Sequence, residues 1–331
     1  MSKKPKVDPS KYVSILTHTF RNSTQRGKYF NYKVKNEAEK LLSLRKLKRI
    51  ELEKLLDEIY APHSSLKLPG SRKVTLKDLN SDRLEFINFD QEFYLAKSIL
   101  LKNTERIQDF VNLSHEYSIC TINGSYEDSL SILNEIENKF GYSIWLLKNK
   151  IALMQVYKGL EDQKKIVQEI KKGLRNGSLS KFLIHWISVR NEPQLSIGRY
   201  KGQIDPIISR LDDRTQKGFK EYLSYHLLVE GINDPQLMID LVRLSYSDSI
   251  IDYYLAFNTL LKSIFISDTK NLYNRAISCL MIFDSKIKDP QLSLLHELLI
   301  GNNINLNMIK TLLLHMIIFF AEILPVVHKW E

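Results

Sequence analysis

Gly124, Ser125, Tyr126, Glu127, Asp128, Ser129 and Leu130 are the stretch whose reading decides the fold. A glycine and a small polar residue close one apolar stripe, and two acids open the next. Carboxylates are favoured at a helix N-terminus by the macrodipole, so this order is that of a tight turn restarting a helix. Downstream, Leu130, Leu133, Ile136 and Phe140 recur at helical spacing until Gly141 stops them. Upstream, Ile107, Phe110, Val111, Ser114 and Tyr117 form a stripe in a helix that Thr104 can cap and that reaches Thr121. A helical hairpin is therefore predicted across Gly124.

The same grammar recurs on both sides. Ile144, Leu147, Ile151 and Met154 form one stripe, Gly159 breaks it, and a lysine-rich helix follows that Gly173 closes. Asp90 can cap a helix running through Leu101. Near the start, Asn36 and Glu39 resemble a capping box, and Leu41, Leu44, Leu47, Ile50, Leu52, Leu55 and Ile59 carry a helix to Tyr60, stopped by Pro62. In the second half Glu192, Asp205, Asp234 and Asp289 each precede a proline, the order of an N-cap followed by a first helical residue. Helices are predicted over 216–230, 235–246, 249–266, 269–285 and 290–300. Alternation of strand type is scarcely found.

The hairpin across Gly124 resembles a tetratricopeptide repeat, whose inter-helix turn reads Gly, polar, Tyr, acidic, acidic, Ala. Gly124, Tyr126 and Ser129 are the turn positions that carry the likeness, with Ser129 in place of the usual alanine. Leu113 falls where that family prefers an aromatic residue, and Tyr117 where it prefers glycine. The match spans about residues 110–143 and extends loosely to the next pair. It implies an all-α fold of antiparallel helix pairs stacked as an α-solenoid, a type that binds other proteins.

Composition agrees with that class. Of 331 residues, 44% are hydrophobic, and 12 Gly and 9 Pro leave few breaks, as long helices joined by short loops require. Residues 1–54 hold fifteen Lys and Arg against five acids, so the net charge of +10 equals the excess of this segment, and the remainder is balanced. The expected organisation is a basic N-terminal arm and helix over 1–60, a linker over 61–75, a helical-repeat body over 76–307 and an apolar tail over 308–331. Cys120 and Cys279 lie in apolar stretches without neighbouring ligands and read as free thiols in a reducing compartment. The opening Met1, Ser2, Lys3, Lys4, Pro5 has no signal-type apolar run, so a cytoplasmic location is expected.

No Cys or His pair has zinc spacing, and neither a phosphate-binding glycine loop nor a Gly-x-Ser-x-Gly elbow occurs. No cofactor or metal is expected, and catalysis has no support in the motifs. His115, His185, His226 and His296 read as packed or half-exposed histidines, and Trp145 and Trp186 as inter-helix packing. The candidate nucleic-acid contacts are Arg21, Arg26, Lys28, Tyr29, Phe30, Tyr32, Lys33 and Lys35, continued by Arg45, Lys46, Lys48 and Arg49. Cations neutralise phosphates by releasing counterions, and interleaved rings can stack on bases. The bland alternative is a solvated arm whose rings dock on the body.

Residues 311–327 are apolar apart from His315 and Glu322 and approach the length of a short membrane span. Glu322 and Pro325 favour a last docked helix, with a tail anchor or the frameshifted end of a longer protein as the other readings. The Lys-, Ile-, Asn- and Leu-heavy composition suits an AT-rich bacterial gene with a regulatory or defence accessory role. The leading expectation is a non-enzymatic scaffold that binds another protein. Nucleic-acid binding through residues 20–49 is the alternative.

Overall fold

A computed structural model describes residues 49–59, 72–79, 88–210, 219–227, 234–245, 249–267 and 270–299. The described residues form thirteen α-helices and one 3-10 turn, Leu76–Asp78, with no strand among them. The helices are α1 Arg49–Ile59, α2 Phe89–Leu101, α3 Thr104–Ile122, α4 Tyr126–Phe140, α5 Ile144–Lys158, α6 Leu160–Gly173 and α7 Leu179–Arg190. They continue as α8 Ile197–Ser209, α9 Phe219–Leu227, α10 Pro235–Ser245, α11 Ile250–Ile266, α12 Lys270–Lys286 and α13 Pro290–Leu299. The predicted linker falls partly, and the apolar tail wholly, outside the described residues, as does all of the basic segment before Arg49.

Neighbouring helices pack in sequence order, α3 on α4, α4 on α5 and α5 on α6, because short connections hold successive amphipathic stripes side by side. Gly124, at φ 75°, makes the turn between α3 and α4, a conformation that costs a side-chain-bearing residue more than glycine. Ser129 is fully buried where the two helices meet. Its hydroxyl donates to the Ser125 carbonyl (3.0 Å) and shares a second hydrogen bond with Thr121 Oγ1 (3.1 Å), so the polar group is satisfied inside the seam. Leu113 and Tyr117 are buried too, Tyr117 with its ring edge-on to Trp145 at 5.9 Å.

Contacts also join segments far apart in the chain. Helix α11 packs on its neighbours α10 and α12 and, beyond them, on α2, α3 and α5, while α10 lies against α2. Helix α11 is correspondingly buried over most of its surface, with Ala256, Phe257, Leu260, Leu261 and Ile264 fully so. A helix apolar nearly all round belongs in the centre of a packed body. The stretch before α2 is tied down as well: Tyr142 N–H donates to the Lys73 carbonyl (2.9 Å), and the Ser180 hydroxyl donates to the carbonyl of fully buried Leu79 (3.0 Å).

Several predicted caps moved by one or two residues. Asn88, not Asp90, caps α2 through Gln91 N–H, and Asp90 sits in the first turn, where its charge still suits the macrodipole. Asn103, not Thr104, precedes α3, and its side chain turns back to donate to the Ile99 carbonyl of α2 (2.8 Å). Asp234 and Asp289 do cap helices that open on Pro235 and Pro290, each accepting from the amide two residues on at 2.8 Å. Asp205 and Glu192 do not. Pro206 lies within α8, near its end, and after Glu192 the chain turns until Ser196 caps α8.

Candidate functional site

Several of the buried polar groups hold helices together. Ser143 precedes α5, and its hydroxyl accepts from Leu146 N–H (3.0 Å). The two amides that this cap leaves over, Ile144 N–H and Trp145 N–H, are taken by the Asp252 carboxylate at 2.8 and 2.9 Å. Leu147 N–H donates to the Ser143 carbonyl, so the start of α5 is fully accounted for. Asp252 belongs to α11, where Ser249 both donates to it (2.9 Å) and accepts from its amide (3.1 Å). Burial pushes the Asp252 carboxyl up from its ordinary pKa, and the hydrogen bonds from Trp145, Ile144 and Ser249 pull against that. One carboxylate thereby caps two helices.

A second buried group lies on α9, which packs against α7 and α10. His226 is enclosed between the rings of Tyr222 and Tyr225, at 4.5 and 4.9 Å, and its Nε2 has no hydrogen-bond partner among the described residues. Burial first, then the positive charges of Lys148 and Arg190, push its pKa down to about 3. The ring is therefore a neutral packing element at neutral pH. On α11, Tyr254 donates its hydroxyl to Asp289 Oδ2 (2.5 Å), and Asp289 in turn caps α13. Gln163 donates from α6 to the carbonyl and hydroxyl of Ser188 on α7, at 2.9 and 3.2 Å.

The surface carries a cation cluster at the junction of α6 and α7. Residues 170–191 contain Lys171, Lys172, Arg175, Lys181 and Arg190 and no Asp or Glu. Lys171 Nζ lies 3.1 Å from His185 Nδ1, and Lys181 Nζ donates to Asn176 Oδ1 at 2.7 Å, tying α7 to the exposed loop. Burial and the neighbouring Lys181 charge push the Lys171 pKa down. Burial and Lys171 do the same to His185, and Glu192 opposes it as the smallest of the three influences. Phe182 and Trp186 stand beside His185 on the same helix, the His185 and Trp186 rings 5.4 Å apart. Sequence reading missed this cluster because the balance of the whole body hides a local excess; a windowed charge count finds it.

Of the basic, aromatic segment expected to contact nucleic acid, Arg49 alone is among the described residues. Its guanidinium lies 4.9 Å over the Tyr94 ring, while Tyr94 donates its hydroxyl to Glu53 and Lys102 pairs with Asp57. These contacts join α1 to α2. Trp145 packs edge-on to Phe110 at 5.0 Å and Trp186 to Tyr200 at 6.1 Å, both rings partly buried against the core, in the packing role expected of them. Cys279 is fully buried, its thiol pushed up to about 12 by burial, and Cys120 is half-buried; both are free. Among the described residues no group of His, Cys, Asp or Glu is placed to hold a metal ion, and no helix is long and apolar enough to cross a membrane. No family model matches the chain, and neither curated proteins nor solved structures gave a significant match.

Proposed function

We propose that this chain is a non-enzymatic scaffold, built on helix pairs of tetratricopeptide type stacked as a solenoid, that acts in the cytoplasm by docking another protein. The observation that carries the reading is the use of its buried titratable groups. Asp252, Asp289 and Tyr254 bridge helices, and His226 is held neutral as packing, which is the economy of a body selected for shape. Large apolar side chains left outside, Ile119 and Ile122 on α3 and Val156 on α5, lie on helices that α4 joins into one block, and they supply sticking surface of the kind protein partners use. A bacterial regulatory or defence accessory role fits such an adaptor.

The test is purification of the tagged full chain from its native cells with nuclease treatment, followed by reconstitution with each purified companion. A stoichiometric protein that rebinds in isolation is the expected result. A preparation in which nothing but nucleic acid accompanies the chain before digestion, and nothing after it, would overturn the proposal in favour of binding through residues 20–49.

A further inference from the structure

We propose that the solvent face shared by α3 and α4 is the docking surface for this chain's own basic segment, residues 9–36. The docking stands without the proposed protein partner; combined with it, the segment becomes that partner's internal competitor for Ile119 and Ile122. Two contacts fix how α3 and α4 lie. Thr121 Oγ1 and Ser129 Oγ share a hydrogen bond at 3.1 Å, and Lys139 Nζ pairs with Asp109 at 2.9 Å, so the helices run antiparallel with Glu116 level with Glu135. Glu116 lies seven residues from Asp109, and Glu135 and Asp128 lie four and eleven from Lys139, spacings that return to the same side of a helix. These three acids thus share the side marked by the Asp109–Lys139 pair. All three are exposed, and none has an ion pair among the described residues. Ile119 follows Glu116 by three residues and Ile122 comes next, both large apolar side chains left in solvent.

Charge names the occupant. Residues 107–138 hold six acids and no Lys or Arg, the longest stretch of the chain without either. Asp109 pairs with Lys139, Glu137 pairs with Lys150 and Glu127 accepts from the Tyr157 hydroxyl at 2.7 Å, which leaves Glu116, Asp128 and Glu135. Residues 9–36 hold six Lys and Arg and no acid, the longest acid-free stretch of the chain. Each run lacks the charge that the other carries. Phe20, Tyr29, Phe30 and Tyr32 stand among those cations, and a segment mixing cations with rings suits a face mixing carboxylates with Ile119 and Ile122. The same carboxylates repel a phosphate chain. The start of the described chain agrees as well. Arg49 lies over the Tyr94 ring with α1 seated on α2, and α2 leads through two residues into α3. Two helix-to-helix steps of about 10 Å part α1 from α3. Residues 37–48 span about 18 Å at the helical rise and about 40 Å extended, which is enough. A tethered segment also acts at an effective concentration in the millimolar range, so surface ion pairs too weak to hold a separate molecule suffice.

The experiment uses the nuclease-treated full chain, as an equal mixture of unlabelled and isotope-labelled molecules. Carbodiimide coupling joins a carboxylate only to an amine in contact with it, and mass spectrometry reads the links. Links from Lys11, Lys28, Lys33 or Lys35 to Glu116, Asp128 or Glu135 within one molecule are expected at low salt and should be lost at about 1 M salt. In parallel, trypsin cleavage after Arg21 and Arg26 is timed in the parent and in Glu116→Gln with Asp128→Asn and Glu135→Gln, which circular dichroism establishes as folded. Cleavage about tenfold faster in the variant at low salt is expected. Links from these lysines to other acids of the body, or no links, would overturn the proposal, as would equal cleavage of the parent and the folded variant. Links confined to pairs of different molecules would overturn it in favour of a second copy. Protection from trypsin that vanishes on nuclease treatment would overturn it in favour of nucleic acid. Should the variant fail to fold, the links in the parent decide alone.

Discussion

The carboxylate of Asp252 accepts the first amide of α5, Ile144 N–H, at 2.8 Å from a position 108 residues later in the chain. Helix termini leave their leading N–H groups unsatisfied, and here the missing acceptor comes from another helix, so α5 and α11 complete one another. Replacing Asp252 by Ala removes the acceptor for two backbone donors and for Ser249. A loss of about 3 kcal/mol in urea unfolding is expected. Asp252→Asn keeps one acceptor oxygen and sheds the cost of a buried charge, so it should lose less than half as much. Equal losses in the two variants would show that packing rather than capping sets the effect.

His226 makes stability depend on acid. Its pKa is about 3 in the folded chain against an ordinary 6.5, so the unfolded chain binds the proton more readily. The stability that the neutral ring allows is fully present above 6.5 and is lost as pH falls from there towards 3. Between about pH 7.5 and about pH 5.5 the parent chain should lose about 1.4 kcal/mol more than a folded His226→Gln variant. Urea midpoints at the two pH values measure the difference, and parallel pH profiles would remove His226 as its source.

Gly141 is the most demanding turn position. It closes α4 at φ 81° and ψ −162°, a region in effect reserved for glycine, and a Cβ there would stand 2.3 Å from the Lys73 carbonyl oxygen. Gly124 has a comparable φ of 75° but open space around it. Gly124→Ala should therefore cost about 1 kcal/mol and Gly141→Ala more than twice that, with residues 72–79 becoming accessible to protease in the second variant alone. Similar losses in both would mean that the segment before α2 does not rest on Gly141.

The two thiols should separate by reactivity. Burial pushes Cys279 up to about 12, which leaves almost no thiolate near neutrality, whereas Cys120 is half-buried on α3. Maleimide labelling of the native chain followed by mass spectrometry should find Cys120 modified and Cys279 modified only in denaturant. Native labelling of Cys279 at the rate of Cys120 would contradict the packing of α12 against α11.

Much of the helical outline was legible because local chemistry states it. Asp234 and Asp289 before proline, Ser249 before Ile250, and Gly141 and Gly159 after apolar stripes act on backbone groups within four residues, a range that sequence displays directly. Helices α7 and α8 were harder. The first places Ser180 and Ser188 on its buried face and so blurs its stripe, and the second contains Gly198, Gly202 and Pro206, which count against a helix. The junctions between helices distant in the chain were not legible. Nothing near Asp252 announces Ile144, and Lys171 and His185 become neighbours through the packing of α6 on α7.

Hydrogen exchange at Ile144 and Trp145 tests the central claim, that a distant helix seals the start of α5 and makes the hairpins one body. As the leading amides of a helix these two would ordinarily exchange fast, and Glu127 and Asp128 at the start of α4, which has no side-chain cap, provide the internal comparison. Protection of Ile144 and Trp145 close to that of the α11 core, lost in Asp252→Ala, is the predicted result. Exchange of Ile144 and Trp145 as fast as Glu127 and Asp128 in the parent chain would contradict it.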